Sequence, residues 1–365
     1  MFSIHFRIAI LGCSLFALQA MSVAQQHHHG GDTTIERPKI FLDKSPRIVA
    51  YQLNRLDNQR LLMVERKSDD SKYVPVYSAI LARVGMSPQY REEAVEALVK
   101  LGDSDPVTVL LTAISGLDPE QQEQRRTTRQ LSGIMLRLPT DVLQRQIQQL
   151  AEATESDNSL MRRAGFAGLV VAGETEAALS RAGRDEPAQL DWLASVSLIP
   201  SDAKRAELRL PIVDAVKQTD SVAIRRAAVQ AISFVPGHKD DTFRLIASQV
   251  AEAGLRTAAV RTLLTIPDSQ RDASVSAALV AELVEYAEQT PAQDRTSDEF
   301  VDAMQLADQL LAKIPTVDAR LYRKRLSAVS VRVVRIRTVE EEMRYDIPFF
   351  AVEAGRPVQV ILENH

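Results

Sequence analysis

Up to about Ala328 the hydrophobic residues recur at helical spacing. From Val331 onward they recur at every second position, through Val334, Ile336 and Thr338, then Phe350 and Val352, then Val358, Val360 and Leu362. A change of period from 3.6 to 2 marks the passage from amphipathic helix to half-buried strand. The pattern therefore predicts a helical domain over residues 45–325 and two or three strands over 330–365. So few strands rarely hold together alone in water, because their apolar face has nothing to cover it. The expectation is a complete helical domain followed by the opening of a β-domain that continues beyond His365.

Within the helical part an eight-residue segment recurs. It reads Arg91-Glu-Glu-Ala-Val-Glu-Ala-Leu98, Arg162-Arg-Ala-Gly-Phe-Ala-Gly-Leu169, Arg225-Arg-Ala-Ala-Val-Gln-Ala-Ile232 and Arg256-Thr-Ala-Ala-Val-Arg-Thr-Leu263, with weaker copies from Arg126 and Asp191. Successive starts lie 35, 36, 29, 34 and 31 residues apart, a spacing that accommodates one helix-turn-helix unit. Small residues in the middle of each copy let neighbouring helices approach closely, and the flanking Leu, Ile, Val and Phe supply the packing stripe. Many copies end in an apolar residue and a proline: Leu138-Pro139, Ile199-Pro200, Val235-Pro236, Ile266-Pro267 and Ile314-Pro315. Proline cannot continue a helix and biases the residue before it away from helical angles, so each pair is a stop signal. Val142 to Leu150 and Thr242 to Ala251 are amphipathic companion helices. Ser45 to Val84 reads as less regular capping helices, which the outermost unit of a stack needs to cover its apolar face. A loop over Glu288 to Ser297 precedes a final helix, Asp298 to Lys313.

Two copies open on an acid, as Asp157-Asn-Ser-Leu-Met-Arg162-Arg and Asp220-Ser-Val-Ala-Ile-Arg225-Arg. Asp, a short gap, an apolar residue, Arg and an Ala-rich helix is the pattern around which HEAT repeats are written. The stretch from Ser87 to Pro315 resembles that family, and the resemblance implies an α-solenoid of stacked helical hairpins. The arginine pairs admit two readings. In register they form a cationic column that grips an acidic partner. Alternatively, each arginine bonds an acid or a helix C-terminal carbonyl of its own or the adjacent repeat and so rigidifies the array, which the upstream acids favour.

The N-terminus sets the compartment. Arg7, the apolar run Ile8 to Ala20 and the small residues of Ser22-Val23-Ala24 predict a signal peptide over residues 1–24, cleaved near Ala24, and hence export to the periplasm or beyond. A lipoprotein reading through Ile10-Leu11-Gly12-Cys13 is the alternative. Cys13 is the only cysteine, so the mature chain has none, which excludes disulfides, thiolate metal sites and a cysteine nucleophile. About 340 mature residues with 45% hydrophobic content suffice for a core held by apolar burial. A net charge of −4 gives no field favouring nucleic acid, and no later segment is long and apolar enough to span a membrane.

The tail also carries a resemblance. Met343, Tyr345-Asp346, Phe350-x-Val352-x-Ala354-Gly355, Pro357-Val358 and Asn364 resemble the first strands of azurin-like and auracyanin-like cupredoxins. The resemblance implies copper and electron transfer for an intact protein of that family. A blue-copper site needs two His, one Cys and usually an axial Met. In the family the first His ligand lies several residues beyond the position of Asn364, so His365 comes too early, and the mature chain has no Cys. This chain as written therefore carries no cofactor; copper belongs to the intact family protein.

Residues 25–44 read as a disordered lead-in containing His27, His28 and His29, three adjacent imidazoles that chelate copper, nickel or zinc weakly, or simply a solvated leader. Asp69-Asp70 and Asp240-Asp241 sit in polar linkers, where carboxylates cap helices. Trp192, with Leu190 and Leu193, fits a core stripe. Catalytic motifs are absent: there is no G-x-S-x-G, H-E-x-x-H or phosphate-binding loop. The chain reads as a non-enzyme: an exported helical scaffold with a protein partner, a redox protein among the candidates, joined to a truncated cupredoxin-like domain. The alternative is a pure interaction module using the solenoid surface. An enzyme with an unrecognised site in the repeat groove is the third class.

Overall fold

The helices begin where short polar side chains can take up the free N–H groups of a first turn. Asp57, Asp105, Asn158, Asp185, Ser201, Ser221, Asp272 and Ser297 each accept such a bond at an N-cap. Pro46, Pro88 and Pro106 stand at the first helical position, where a missing N–H costs nothing. The computed structural model describes residues 37–329, 332–337, 345–347, 349–352 and 358–363. Residues 1–24, where a signal peptide is expected, the imidazoles of His27, His28 and His29, and His365 lie outside the described residues.

The chain is mainly helical. Among the described residues no helix is long and apolar enough to cross a membrane. The segment over residues 45–84 holds the helices Pro46–Asn54, Asn58–Met63 and Val74–Ala82. Each recurring segment lies on a helix: Pro88–Gly102, Gln122–Met135, Ser159–Ala172, Glu186–Ser195, Val222–Ala231 and Ala253–Leu264. From Ser159–Ala172 onward each of these packs on the next, ending on Asp298–Leu310. Each is also paired with a companion preceding it in the chain: Ile147–Ala153, Thr175–Ala182, Arg209–Gln218, Lys239–Ala247 and Ala273–Gln289. One buried apolar cluster runs through these contacts from Val49 to Ala319.

The apolar-proline stops work by anchoring as well as by breaking. Ile199, Val235, Ile266 and Ile314 are buried just before their prolines. Ile199 and Val235 each follow a single 3₁₀ turn, which tightens the helix end before the chain reverses. The companion expected over Val142 to Leu150 is two short helices, Thr140–Arg145 and Ile147–Ala153, meeting at Gln146 (φ −112°, ψ 22°). That over Thr242 to Ala251 is Lys239–Ala247. The helical part also runs past residue 325: Thr316–Val329 folds back on Ala273–Gln289, and a small cluster of Ala287, Phe300 and Val329 holds its end.

Small residues permit the closest approach of all. A Cβ at Gly165 would meet Leu150 O at 2.7 Å and Thr154 N at 2.9 Å, so the Ile147–Ala153 and Ser159–Ala172 helices touch backbone to backbone. Any larger residue there must push the two helices apart.

The tail holds two strands among the described residues, β1 (Arg332–Arg337) and β2 (Val358–Glu363). They pair in parallel, Val334 opposite Val360 and Ile336 opposite Leu362. A parallel pair cannot be joined by a tight hairpin, and 20 residues separate the two strands in the sequence. Val334 and Ile336 are buried as expected, but Val360 and Leu362 are 45% and 65% exposed. The strand expected around Phe350 and Val352 is not there: Phe349–Val352 is irregular and exposed. Pro348 just before it has no N–H to give to a ladder.

Candidate functional site: an arginine-lined groove

Most arginines of the recurring segments are committed to holding the array together. An arginine early in a helix repeatedly turns back to carbonyls five and six residues earlier, in the preceding turn, which lacks helical donors for them. Arg125 donates to Pro119 O (2.8 Å) and Glu120 O (3.2 Å). Arg162 donates to Ser156 O (2.8 Å) and Asp157 O (3.0 Å), and Arg256 to Val250 O (3.0 Å) and Ala251 O (3.1 Å). Arg205 takes Ile199 O and Pro200 O, and Arg271 and Arg295 each take the carbonyl five residues back. Each clamp replaces lost helix bonds with charge-assisted ones.

Side-chain pairs add links between units. Asp191, 3% exposed, accepts from Arg162 Nε (2.8 Å) and Arg163 Nε (2.7 Å). Arg225 makes a two-pronged bond to Glu252 at 2.6 and 2.7 Å, and Arg226 donates to Gly254 O. The upstream acids of the motif act differently from the expectation. Asp157 contributes its carbonyl to Arg162, and Arg225 turns to Glu252 of the following hairpin rather than to Asp220. Arg91 is fully buried and donates to Leu81 O and Arg83 O at the end of the Val74–Ala82 helix. Burial pulls its guanidinium down to about 10, still well above neutral, so the buried cation persists.

The Gln122–Met135 helix departs from this pattern. A polar network starts it: Asp118 N donates to Gln124 Oε1, and Asp118 Oδ1 accepts from Glu120 N. Its inward face carries Leu131, Ser132 and Met135 together with two threonines. Thr127 and Thr128 are buried because each hydroxyl donates to the carbonyl one turn back, Glu123 O and Gln124 O. The outward face carries Arg125, Arg126 and Arg129. Arg126 and Arg129 have no ion pair or hydrogen-bond acceptor among the described residues, and both are exposed.

These arginines line a groove of about 400 Å³. Arg163 faces them from the Ser159–Ala172 helix, Leu160, Ala194 and Leu198 supply apolar lining, and Ser197 stands at the end of the Glu186–Ser195 helix. No aspartate or glutamate lines it. The one carboxylate touching its cations is Asp191, divided between Arg162 and Arg163. Four guanidinium groups thus gather on a chain whose net charge is −4. Such an arrangement selects anions.

The other sequence candidates fall elsewhere. Trp192 is 2% exposed in the core, as its stripe predicted. Asp70 caps a 3₁₀ turn through Lys72 N, while Asp240 and Asp241 occupy the first turn of a helix and pair with Arg244. The groove itself was missed. Its signal is Arg125-Arg126-x-x-Arg129, three cations on one face of a helix, which in the repeat pattern stands only as a weak copy starting at Arg126.

Comparison with protein-family models, with curated proteins and with solved structures finds no match at the level of a family, a relative or a fold.

Proposed function

We propose that this chain is a HEAT-like helical-repeat scaffold that works by holding a protein partner on its surface. The observation that carries this reading is the ordered packing of helical hairpins, each on the next through one continuous core, with an arginine-lined groove left free between them. In a stack where each unit rests on its neighbours, stability is distributed along the chain and the surface is available for binding. The arginine clamps support the same reading, because they stiffen the turns between helices while leaving Arg126 and Arg129 of the groove uncommitted. On the N-terminal signal, the scaffold is exported and meets its partner in the periplasm or outside the cell.

A photo-crosslinking residue in place of Gln122, which lines the groove, tests this in native cells. A specific protein adduct at Gln122, absent when the same group replaces exposed Arg145, is the expected result. No adduct above the Arg145 control would refute the scaffold reading.

A second reading, copper-dependent electron transfer by an intact protein of the cupredoxin type, draws support from the tail. Two parallel strands with an exposed apolar face on Val360 and Leu362 suit the opening of a larger β-sandwich. The helical array would then dock that domain to its redox partner. Copper(II) added to this chain alone should give no intense visible charge-transfer band, since residues 25–365 contain no cysteine thiolate. A blue adduct would overturn that argument.

A further inference from the structure

The groove's chemistry narrows what the scaffold holds. Arg126 and Arg129 stand three residues apart on one helix, so their Cβ atoms are about 5–6 Å apart. Same-side residues of an extended peptide are about 6.6 Å apart, close to that separation. Guanidinium forks pair best with carboxylates or phosphates, and here two of them are exposed with no acceptor of their own among the described residues. Glu123 lies three residues before Arg126, yet it lines no part of the groove and forms no ion pair with it. Beside these cations lie Leu160, Ala194 and Leu198. A free phosphate has nothing to place on that apolar floor. A peptide does.

We infer that the groove receives an extended acidic segment of a protein partner, in which carboxylates at alternate positions pair with Arg126 and Arg129 and the next same-side residue, an apolar one, rests on Ala194 and Leu198. Arg163, half neutralised by Asp191, adds field from the opposite wall. The inference rests on the scaffold reading and specifies what the partner presents.

The test uses the full chain and a fluorescein-labelled peptide, Gly-Glu-Ser-Glu-Ser-Leu-Gly, titrated by fluorescence anisotropy. The expected result is saturable binding that weakens as salt is raised. Arg126→Glu and Arg129→Glu should each weaken it by about tenfold or more, as loss of a charge-assisted pair does. A Gln-for-Glu peptide should lose binding to a similar extent, and a Ser-for-Leu peptide should lose a smaller part. Both arginines are exposed, so circular dichroism should be unchanged; Arg126→Gln and Arg129→Gln serve if a charge reversal disturbs folding. Peptide binding that is absent, or insensitive to both arginines, overturns the inference. So does binding of short-chain polyphosphate, lost in the same variants, without binding of the peptide. The two readings separate cleanly. A protein adduct at Gln122 without arginine-dependent peptide binding sinks the acidic-segment inference alone. Arginine-dependent peptide binding with no adduct sinks the scaffold reading alone.

Discussion

Replacing Gly165 by alanine puts a methyl group where the backbone of another helix already lies. Its Cβ would stand 2.7 Å from Leu150 O, 2.9 Å from Thr154 N and 3.0 Å from Ala153 Cβ, against ordinary contact at 3.4 Å or more. The first two atoms are backbone and have no rotamer to escape into. Relief therefore requires the Ile147–Ala153 and Ser159–Ala172 helices to part by about 0.7 Å, and a gap of that size forfeits a quarter to a half of each dispersion contact across the seam. Overpacking of this kind costs about 1–3 kcal/mol. Alanine returns about 1 kcal/mol of helix propensity, so the net destabilisation should be about 0–2 kcal/mol. Gly133 is the internal control, since its Cβ would meet only the Arg137 guanidinium, at 3.4 Å. Gly133→Ala should therefore stabilise by about 0.5–1 kcal/mol. Gly168→Ala should fall between, because its Cβ meets the mobile end of the Leu150 side chain at 2.5 Å. Urea denaturation gives the three midpoints, and amide exchange over 147–172 shows whether the loss is local. A Gly165→Ala protein as stable as Gly133→Ala would refute the backbone-contact argument.

Three further outcomes follow from the arginine chemistry. Arg91→Met keeps the apolar stem but strands the carbonyls of Leu81 and Arg83, and should cost about 3 kcal/mol in urea, with Arg91→Lys costing less. Asp191→Ala removes the acceptor shared by Arg162 and Arg163 and should cost about 2 kcal/mol; a change under 0.5 kcal/mol would show that the carbonyl clamps suffice alone. The Arg325 guanidinium holds the Glu288 carboxyl below the ordinary glutamate range, so the pair's contribution is complete above that range and fades as pH falls through the lowered value. Amide protection factors over Thr316–Val329, corrected for the intrinsic exchange rate at each pH, should fall in acid, and Arg325→Ala should remove that acid sensitivity. An unchanged pH response in the variant would show that another group governs it.

The helical repeat was readable because its determinants are local. Pro88 and Pro106 at helix starts, the side-chain caps from Asp57 to Ser297, and the buried residues before Pro200, Pro236 and Pro267 each act within a turn or two of their own position. Gly165 and Gly168 were readable as sites of close approach, since nothing else explains two glycines in a buried helical stripe. The arginine pairs were half readable. Commitment to carbonyls and acids was foreseen, but the acid of Arg225 proved to be Glu252, twenty-seven residues on, rather than its motif neighbour Asp220.

What the amino-acid order determined by itself is thus the mainly helical character of the chain, several helix ends and the apolar stripe along the recurring segments, because period, capping and proline chemistry operate over a few residues. Tertiary structure alone decided that β1 pairs with β2 in parallel, leaving Val360 and Leu362 in solvent. It also decided that Arg126 and Arg129 face Arg163, Leu160 and Leu198 across a groove. Those partners lie dozens of residues away, and an arginine reads the same in sequence whether packing hands it a carbonyl, a carboxylate or open water.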